Sequence, residues 1–203
     1  MAKSLQETYC SEVRKQLNYF AAWMPNIIFK PGDFGTLSGN LFSPLGSLTD
    51  LGVSFEVGQR GNYTHFAYQS SSVKTSQLQS TIDVSGIQPA KSGLKIEFGA
   101  ENACFMRLRG CVPIEIVNIQ GVDLELLRLR EIGQWQDEWA YIFQVQQTEK
   151  TLIGVSSTKN GSLELELNSP HIGQFLDDLS VGFKTTNSSD LATYIEGKEN
   201  LTP

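Results

Sequence analysis

The chain has 203 residues, of which 40% are hydrophobic, and it carries a formal net charge of −6 at pH 7 with a pI near 5.0. A chain of this length can form one domain that buries roughly 70% of its unfolded surface. The acidic balance excludes nucleic acid as a partner, since binding it requires a basic surface that displaces counterions from phosphates. We therefore predict a single domain over residues 1–203.

The N-terminal segment and the number of cysteines predict the cellular compartment of the protein. The segment MAKSLQETYCSEVRKQ lacks the apolar core of a signal peptide, and no run of about 18 apolar residues occurs in the chain. Three cysteines, an odd number, are typical of reduced thiols and not of a disulfide framework. The expected location is the cytoplasm.

The first predicted element is an amphipathic helix over residues 4–23. Ser4 and Glu7 stand at the spacing of a capping box. Apolar residues then recur every three or four positions, as on one face of a helix. These positions are Leu5, Tyr9, Val13, Leu17 and Phe20.

Residues 31–52 follow, with the sequence PGDFGTLSGNLFSPLGSLTDLG. This segment holds seven glycines and prolines in 22 residues. Such a density predicts an ordered, turn-rich connection instead of regular structure. We expect it to wrap the edge of a sheet.

Alternation of apolar and polar residues predicts antiparallel strands over residues 53–117 and again over residues 139–195. In LKIEF, the residues Leu94, Ile96 and Phe98 share one face, so this strand has a dry side and a wet side. The dry side faces a protein core, a partner or a lipid bilayer, and the pattern is the same in all three cases.

One helix interrupts the strands at residues 121–132. Val122, Leu126 and Leu129 fall on one helical face, and Gly121 and Gly133 mark its ends. The predicted fold class is therefore α+β: a twisted, mostly antiparallel sheet with an N-terminal amphipathic helix and one internal helix.

Residues suited to catalysis or metal binding are few and scattered. His65 and His171 each stand alone, and a half-buried structural histidine is the favoured interpretation of each. Cys104 and Cys111 are separated by six residues, with no second cysteine pair and no neighbouring histidine, which argues against zinc. We expect no metal at these residues.

Recognised catalytic and cofactor motifs do not occur either. The chain contains no GxxxxGK[ST] phosphate loop, no strand-coupled GxGxxG, no GxSxG and no HExxH. Glu164 and Glu166 alternate with leucines, so they are interpreted as the wet side of a strand. We predict a protein that is not an enzyme, with no cofactor.

Trp135 and Trp139 are four residues apart next to the internal helix. The favoured interpretation is that they cap the core where the helix meets the following strand. The alternative is an exposed aromatic anchor for a membrane or a partner.

The most basic part of this acidic chain lies between residues 91 and 130. Solvated strand faces explain these residues, and a local basic patch is the other interpretation. They are Lys91, Lys95, Arg107, Arg109, Arg128 and Arg130.

Over residues 5–167, the order of these elements resembles the pore-forming N-terminal domain of gasdermins, a family associated with cell death. The resemblance includes the N-terminal helix, the turn-rich segment with LGSLTDLG, and the long alternating strands. It continues with the charged, leucine-rich helix DLELLRLREIG and with DEWAYIFQVQQTEKTLIGVSS.

The resemblance implies a function and partners. Gasdermin-like domains are restrained until release, usually by proteolysis of an inhibitory segment, after which their hairpins extend, bind acidic lipid and assemble into large pores. The expected partners are an acidic lipid membrane, further copies of the chain, and a protease or inhibitory protein. The protein would be cytoplasmic and become membrane-associated on activation.

The resemblance also assigns residues. Residues 73–109 would form the inserting hairpins, and bacterial members that carry an acylated N-terminal cysteine make Cys10 the candidate for acylation. The residues expected to contact lipid headgroups are Lys91, Lys95, Arg107 and Arg109.

The alternative is a non-enzymatic, soluble protein-binding or regulatory module, in which the two helices cover one face of the sheet. A pore former needs hairpins with an uninterrupted apolar face, whereas a scaffold tolerates polar residues on both faces. Residues 73–81, VKTSQLQST, are weakly apolar, which favours this alternative.

Overall fold

The structure is a computed structural model that describes residues 4–21, 28–78, 92–168, 172, 175–176, 179 and 183–197; for Leu5, Leu17 and residues 193–197 it describes the backbone. The helices are α1 Leu5–Leu17, the short 3₁₀ helix η1 Leu48–Leu51, and α2 Ile119–Glu131. The first strands are β1 Asp33–Ser38, β2 Leu41–Ser47, β3 Val57–Gln59, β4 Thr64–Gln69, β5 Val73–Leu78, β6 Ser92–Phe98 and β7 Cys104–Ile116. The others are β8 Trp139–Tyr141, β9 Gln144–Gln147, β10 Lys150–Ser156, β11 Ser162–Leu167, β12 Phe183–Ser189 and β13 Leu191–Gly197.

The fold class is α+β with mostly antiparallel strands, as predicted. Among the described residues the strands form three sheets: β2-β1-β8; β13-β10-β7-β3, in which β4 and β9 also pair with β7; and β12-β11-β6-β5. The chain divides into two compact units. The first is built from segments within residues 1–9, 64–110 and 149–199, and the second from segments within 10–63, 111–148 and 200–203.

The helix predicted over residues 4–23 is shorter in the structure. It ends at Leu17 because Asn18 adopts a left-handed conformation with φ 60°, which an α-helix cannot continue. The Arg14 guanidinium donates to the Asn18 carbonyl at 2.7 Å and so satisfies one of the free acceptors at this helix end. The helix start is the predicted one, with the Ser4 amide and the Glu7 carboxylate 2.8 Å apart.

The prediction of an irregular connection over residues 31–52 is wrong, because β1 and β2 form an antiparallel pair there. The glycines and prolines occupy positions where strands accept them. Gly35 lies against the backbone of β2, where a Cβ atom would collide with the Ser43 carbonyl oxygen. Pro44 lies on β2, the edge strand of its sheet, where a missing N–H is tolerated.

Other boundaries also move. The strand predicted to begin at residue 53 begins at Val57, although Val53 is buried. The internal helix begins at Ile119, two residues before its predicted start, and ends at Glu131.

In the first unit, the apolar alternation predicted for LKIEF is a core face. Leu94, Ile96 and Phe98 are buried together with Phe105 on β7 and Leu152 on β10, so two sheets pack face to face. Full burial of a side chain of this size contributes about 1.5–3 kcal/mol. In this conformation the dry side therefore faces protein.

The opposite face of the four-stranded sheet carries paired charges. Opposite charges placed across neighbouring strands help to fix the register, because a slip of one residue would separate them. The pairs are Lys74 with Glu97, Lys95 with Glu164, and Lys184 with Glu166. Among the described residues of this face, the charges of three lysines and three glutamates cancel.

In the second unit, α2 covers a core that it shares with β1 and η1. Val122, Leu126 and Leu129 on α2 are buried together with Phe34 and Leu48. The LGSLTDLG element forms η1, which begins with a capping box between Ser47 and Asp50 and ends at Gly52, a glycine with φ 75°.

Candidate functional site

Lys95, the first lipid-binding candidate, lies on the charged face of the four-stranded sheet. Its Nζ forms an ion pair with Glu97 Oε1 at 3.0 Å, and Glu164 stands opposite on β11. The hydrogen bond to Glu97 raises the pKa of Lys95, so this ammonium group is charged but already neutralised by acidic neighbours.

Arg107, the second candidate, is buried on β7. Its Nε donates to the Leu176 carbonyl at 2.7 Å, and its Nη1 donates to the Tyr68 and Met106 carbonyls, each at 2.9 Å. Its Nη2 donates to Gln69 Oε1 at 2.9 Å. The guanidinium also lies 4.3 Å from the centroid of the Phe105 ring. Arg107 thus links β4, β7 and residue 176 in the described conformation.

Arg109, the third candidate, is held more loosely. It is half-buried, and its Nη1 donates to the Leu179 carbonyl at 3.5 Å, the upper limit for a hydrogen bond. The fourth candidate, Lys91, lies outside the described residues.

The structure does not bring the described candidates together into one exposed patch. Arg107 extends on the same side of β7 as the core residue Phe105. Lys95 lies on the face of its sheet that is opposite to the core residues Leu94 and Ile96. Contact of both residues with one layer of headgroups would require the sandwich to open.

Cys10, the acylation candidate, is buried in α1. Its Sγ lies 3.9 Å from the Ala21 carbonyl oxygen, and burial raises the pKa of the thiol. The reactive thiolate is therefore disfavoured in this conformation. Cys104 and Cys111 are buried as well.

The histidines and other metal-ligating residues show no assembled site in the described part of the chain. His65 Nδ1 accepts a hydrogen bond from the Gly110 amide at 3.3 Å, and His171 lies outside the described residues. Where side chains are described, no three His, Cys, Asp or Glu residues are grouped so that they could hold a metal ion.

The two tryptophans belong to the core of the second unit. Trp139 lies 5.0 Å and Trp135 5.6 Å from the Phe34 ring, measured between centroids, and the two indoles meet edge to face at 5.5 Å. The interpretation that they cap the core is confirmed.

A buried glutamate that pairs with an exposed arginine, Glu115 with Arg60, was not predicted from the sequence. Its Oε1 accepts from Arg60 at 2.9 Å and its Oε2 from Gln144 at 2.8 Å, while the glutamate is almost fully buried and Arg60 is exposed. The hydrogen bond from Arg60 is the main cause that lowers the pKa of Glu115. Glu115 lies in the run VPIEI, where alternation predicts a polar outward position, so only the pairing with β9 reveals its burial.

This pair gives a pH-dependent prediction. Because the pKa of Glu115 is lower in the folded chain than in the unfolded chain, its stabilising effect is present above about pH 4.3 and is lost as the pH falls through the folded pKa. The variant Glu115→Gln should therefore be less stable than the original chain at pH 7, and this difference should shrink near pH 3. Urea unfolding at both pH values measures it.

Arg60→Gln is the matched control, since it removes the partner and keeps the carboxylate. Arg60→Gln should also be less stable than the original chain at pH 7, and this difference in the free energy of unfolding should also shrink near pH 3. An equal loss of stability at both pH values in Glu115→Gln would contradict the assigned role of the ion pair.

Two leucines on α2 face solvent. Leu124 is 68% and Leu127 54% exposed, on the side of the helix opposite to the buried stripe. The sequence indicates that some leucines of this helix are exposed, because DLELLRLR has leucines on both sides of the helix and a single core cannot bury all of them.

In the part of the chain that the structure describes, no helix combines the length and the apolar character needed to cross a bilayer. Comparison of the chain with protein-family models, with curated proteins and with solved structures gave no match. The resemblance to gasdermins therefore stays a prediction that rests on the order of elements.

Proposed function

We propose that this chain is a gasdermin-like, membrane-binding protein that oligomerises on acidic lipid and forms pores after release from a restrained conformation. In this proposal it is cytoplasmic until activated, and a protease or an inhibitory protein controls the release. Catalysis plays no part in it.

One observation carries the proposal: the β5–β6 pair has an apolar face and a charged face. Leu94, Ile96 and Phe98 lie on one side of β6, and Lys95 and Glu97 on the other. A membrane-crossing strand needs the same division, with about 9–11 residues that alternate between lipid and an aqueous lumen. The seven residues of β6 would lengthen on release, while β7 already has 13.

The described conformation fits the restrained form in this proposal. The ion pair with Glu97 engages Lys95, and three carbonyl groups and a glutamine engage Arg107. Release must separate these groups before the basic residues meet anionic headgroups. In this proposal acylation of Cys10 also follows release, because the residue is buried in the described conformation.

A second candidate function is a non-enzymatic protein-binding or regulatory module. The exposed Leu124 and Leu127 favour it, because neighbouring apolar side chains on a surface are typical of interaction sites. The polar Gln77, exposed on β5, also interrupts the apolar side of the β5–β6 pair, which a binding module tolerates more readily than a pore former does.

A disulfide that ties β6 to β11 tests the pore proposal. Glu97 and Ser162 stand opposite each other in the two strands, on the charged face. The variant Glu97→Cys/Ser162→Cys, once oxidised, should prevent β6 from leaving the sandwich and abolish dye release from acidic liposomes after limited proteolysis. The buried native cysteines should react slowly under mild oxidation.

The reduced form of the same variant is one control and should release dye. The oxidised variant Glu166→Cys/Lys184→Cys is the matched control, since it ties β11 to β12 and leaves β6 free. Equal release by the locked and unlocked forms would show that β6 does not move. No release and no co-sedimentation of the original chain with neutral or acidic liposomes, before or after proteolysis, would remove the pore proposal and leave the binding module.

A further inference from the structure

The solvent side of α2 is a small apolar surface bordered by both signs of charge. Leu124 and Leu127 form its centre, and Ile132, at the end of the helix, is 55% exposed. On one flank Glu125 Oε2 and Arg128 Nε form an exposed ion pair at 2.8 Å. We call Leu124, Leu127, Glu125 and Arg128 the α2 surface.

We propose that the α2 surface docks against the same surface of a second copy of this chain, with the two helices antiparallel and related by a twofold axis. A twofold contact joins identical patches, so it requires a patch that is complementary to itself. The α2 surface meets this requirement in its charges and in its apolar centre.

The charges follow from the order of residues along the helix. Within one chain Asp123 already accepts a hydrogen bond from the Tyr141 hydroxyl, and Arg130 already pairs with Asp137. The charges that a second copy can meet are therefore Glu125 and Arg128, in which the acidic residue precedes the basic one along the helix. A twofold axis between Leu124 and Leu127 places Glu125 of each copy opposite Arg128 of the other on one flank.

The exposed ion pair can exchange partners at little cost. Both side chains of the Glu125–Arg128 pair are about half exposed, and such surface pairs contribute little within one chain. Pairing across the dimer keeps each charge compensated while the leucines of the two copies leave water.

The charge of α2 argues against an acidic lipid as the occupant. Three acidic residues, Asp123, Glu125 and Glu131, outnumber Arg128 and Arg130 on the exposed part of the helix. An anionic membrane gains nothing from such a surface. A strongly charged protein partner is equally unsuited, whereas a second copy offers a carboxylate to Arg128 and a guanidinium to Glu125.

The contact is small, so the dimer is expected to be weak. Analytical ultracentrifugation of the full chain should show concentration-dependent association from about 10 µM to about 1 mM, the range suited to an interface of this size. Leu124→Glu/Leu127→Glu should abolish the association. Leu45→Glu, at a leucine on β2 that is 57% exposed, is the matched control and should leave it unchanged.

A charge exchange tests the antiparallel arrangement. Glu125→Arg alone and Arg128→Glu alone should each weaken self-association on the order of tenfold, because like charges then meet across the twofold axis. An equimolar mixture of the two variants should associate at least as strongly as the original chain, since every cross-pair is then complementary. Altered pairing within one helix cannot produce this recovery.

The inference does not depend on the proposed function, because the association is measured without lipid. A chain that stays monomeric to about 1 mM would overturn it. Association that survives Leu124→Glu/Leu127→Glu would overturn it too, as would a mixture that does not recover. If the leucine variant loses liposome binding and not self-association, the occupant is lipid and the inference is wrong.

Discussion

Replacement of Arg107 by methionine is expected to lower the free energy of unfolding by about 3 kcal/mol. Methionine preserves most of the buried volume but donates no hydrogen bond. The carbonyls of Tyr68, Leu176 and Met106 and the amide oxygen of Gln69 then lose the Arg107 donors. Met106 is buried and Tyr68 and Leu176 are half-buried, so water replaces these donors only in part. Urea unfolding of the variant and of the original chain measures the difference.

Arg109→Met is the matched control, two residues further along β7. Its guanidinium is half-buried, and its described hydrogen bond, to Leu179, is at 3.5 Å, so the expected loss is about 0.5–1 kcal/mol. The loss in the free energy of unfolding for Arg107→Lys should lie between these two values. A single ammonium group cannot reach all the acceptors that surround the planar guanidinium group. Equal losses in Arg107→Met and Arg109→Met would contradict the structural role assigned to Arg107.

This result also bears on the lipid-binding prediction for Arg107. If the residue acts only within the folded chain, Arg107→Met should lower stability and leave lipid binding per released molecule unchanged. If it also contacts headgroups after release, co-sedimentation with acidic liposomes should fall even when the comparison is restricted to cleaved protein. The two measurements separate the two roles.

The sequence predicted the α+β class, α2 within two residues, and the dry face of LKIEF, because periodic apolar positions reflect burial directly. It did not predict β1 and β2. Gly35 and Pro44 indicate turns by composition, yet each fits a strand when a neighbouring backbone lies close or when the strand lies at an edge. Local composition contains no information about such neighbours.

The site residues were harder to predict for the same reason. Alternation predicts that Arg107 and Glu115 lie on polar, exposed strand faces. Both are buried, because β7 pairs with strands on either side and other residues cover them, including Leu176 at Arg107 and Arg60 at Glu115. Apart from the bond to the adjacent Met106, the described side-chain hydrogen bonds of Arg107 reach residues 38 to 69 positions away in sequence. Those of Glu115 reach residues 29 and 55 positions away. A single sequence does not indicate contacts at that separation.

Replacement of Phe98 by alanine is expected to lower the free energy of unfolding by about 3–5 kcal/mol, because the ring is fully buried between the two sheets of the first unit. The residue that faces it is Gly154 on β10. A Cβ atom at Gly154 would lie 3.2 Å from Phe98 Cζ, so the glycine leaves the space that the ring fills. The two positions should therefore be energetically coupled.

A double-mutant cycle measures this coupling. Gly154→Val alone should destabilise by about 1–3 kcal/mol, because its methyl groups collide with the Phe98 ring. In Phe98→Ala the same valine enters the cavity, so the double variant should be more stable than the sum of the single losses predicts, by about 1 kcal/mol or more. Strict additivity would mean that the sheets do not meet at this point. Coupling would identify the Phe98–Gly154 contact as one that β6 must break to leave the sandwich, the movement on which the pore proposal depends.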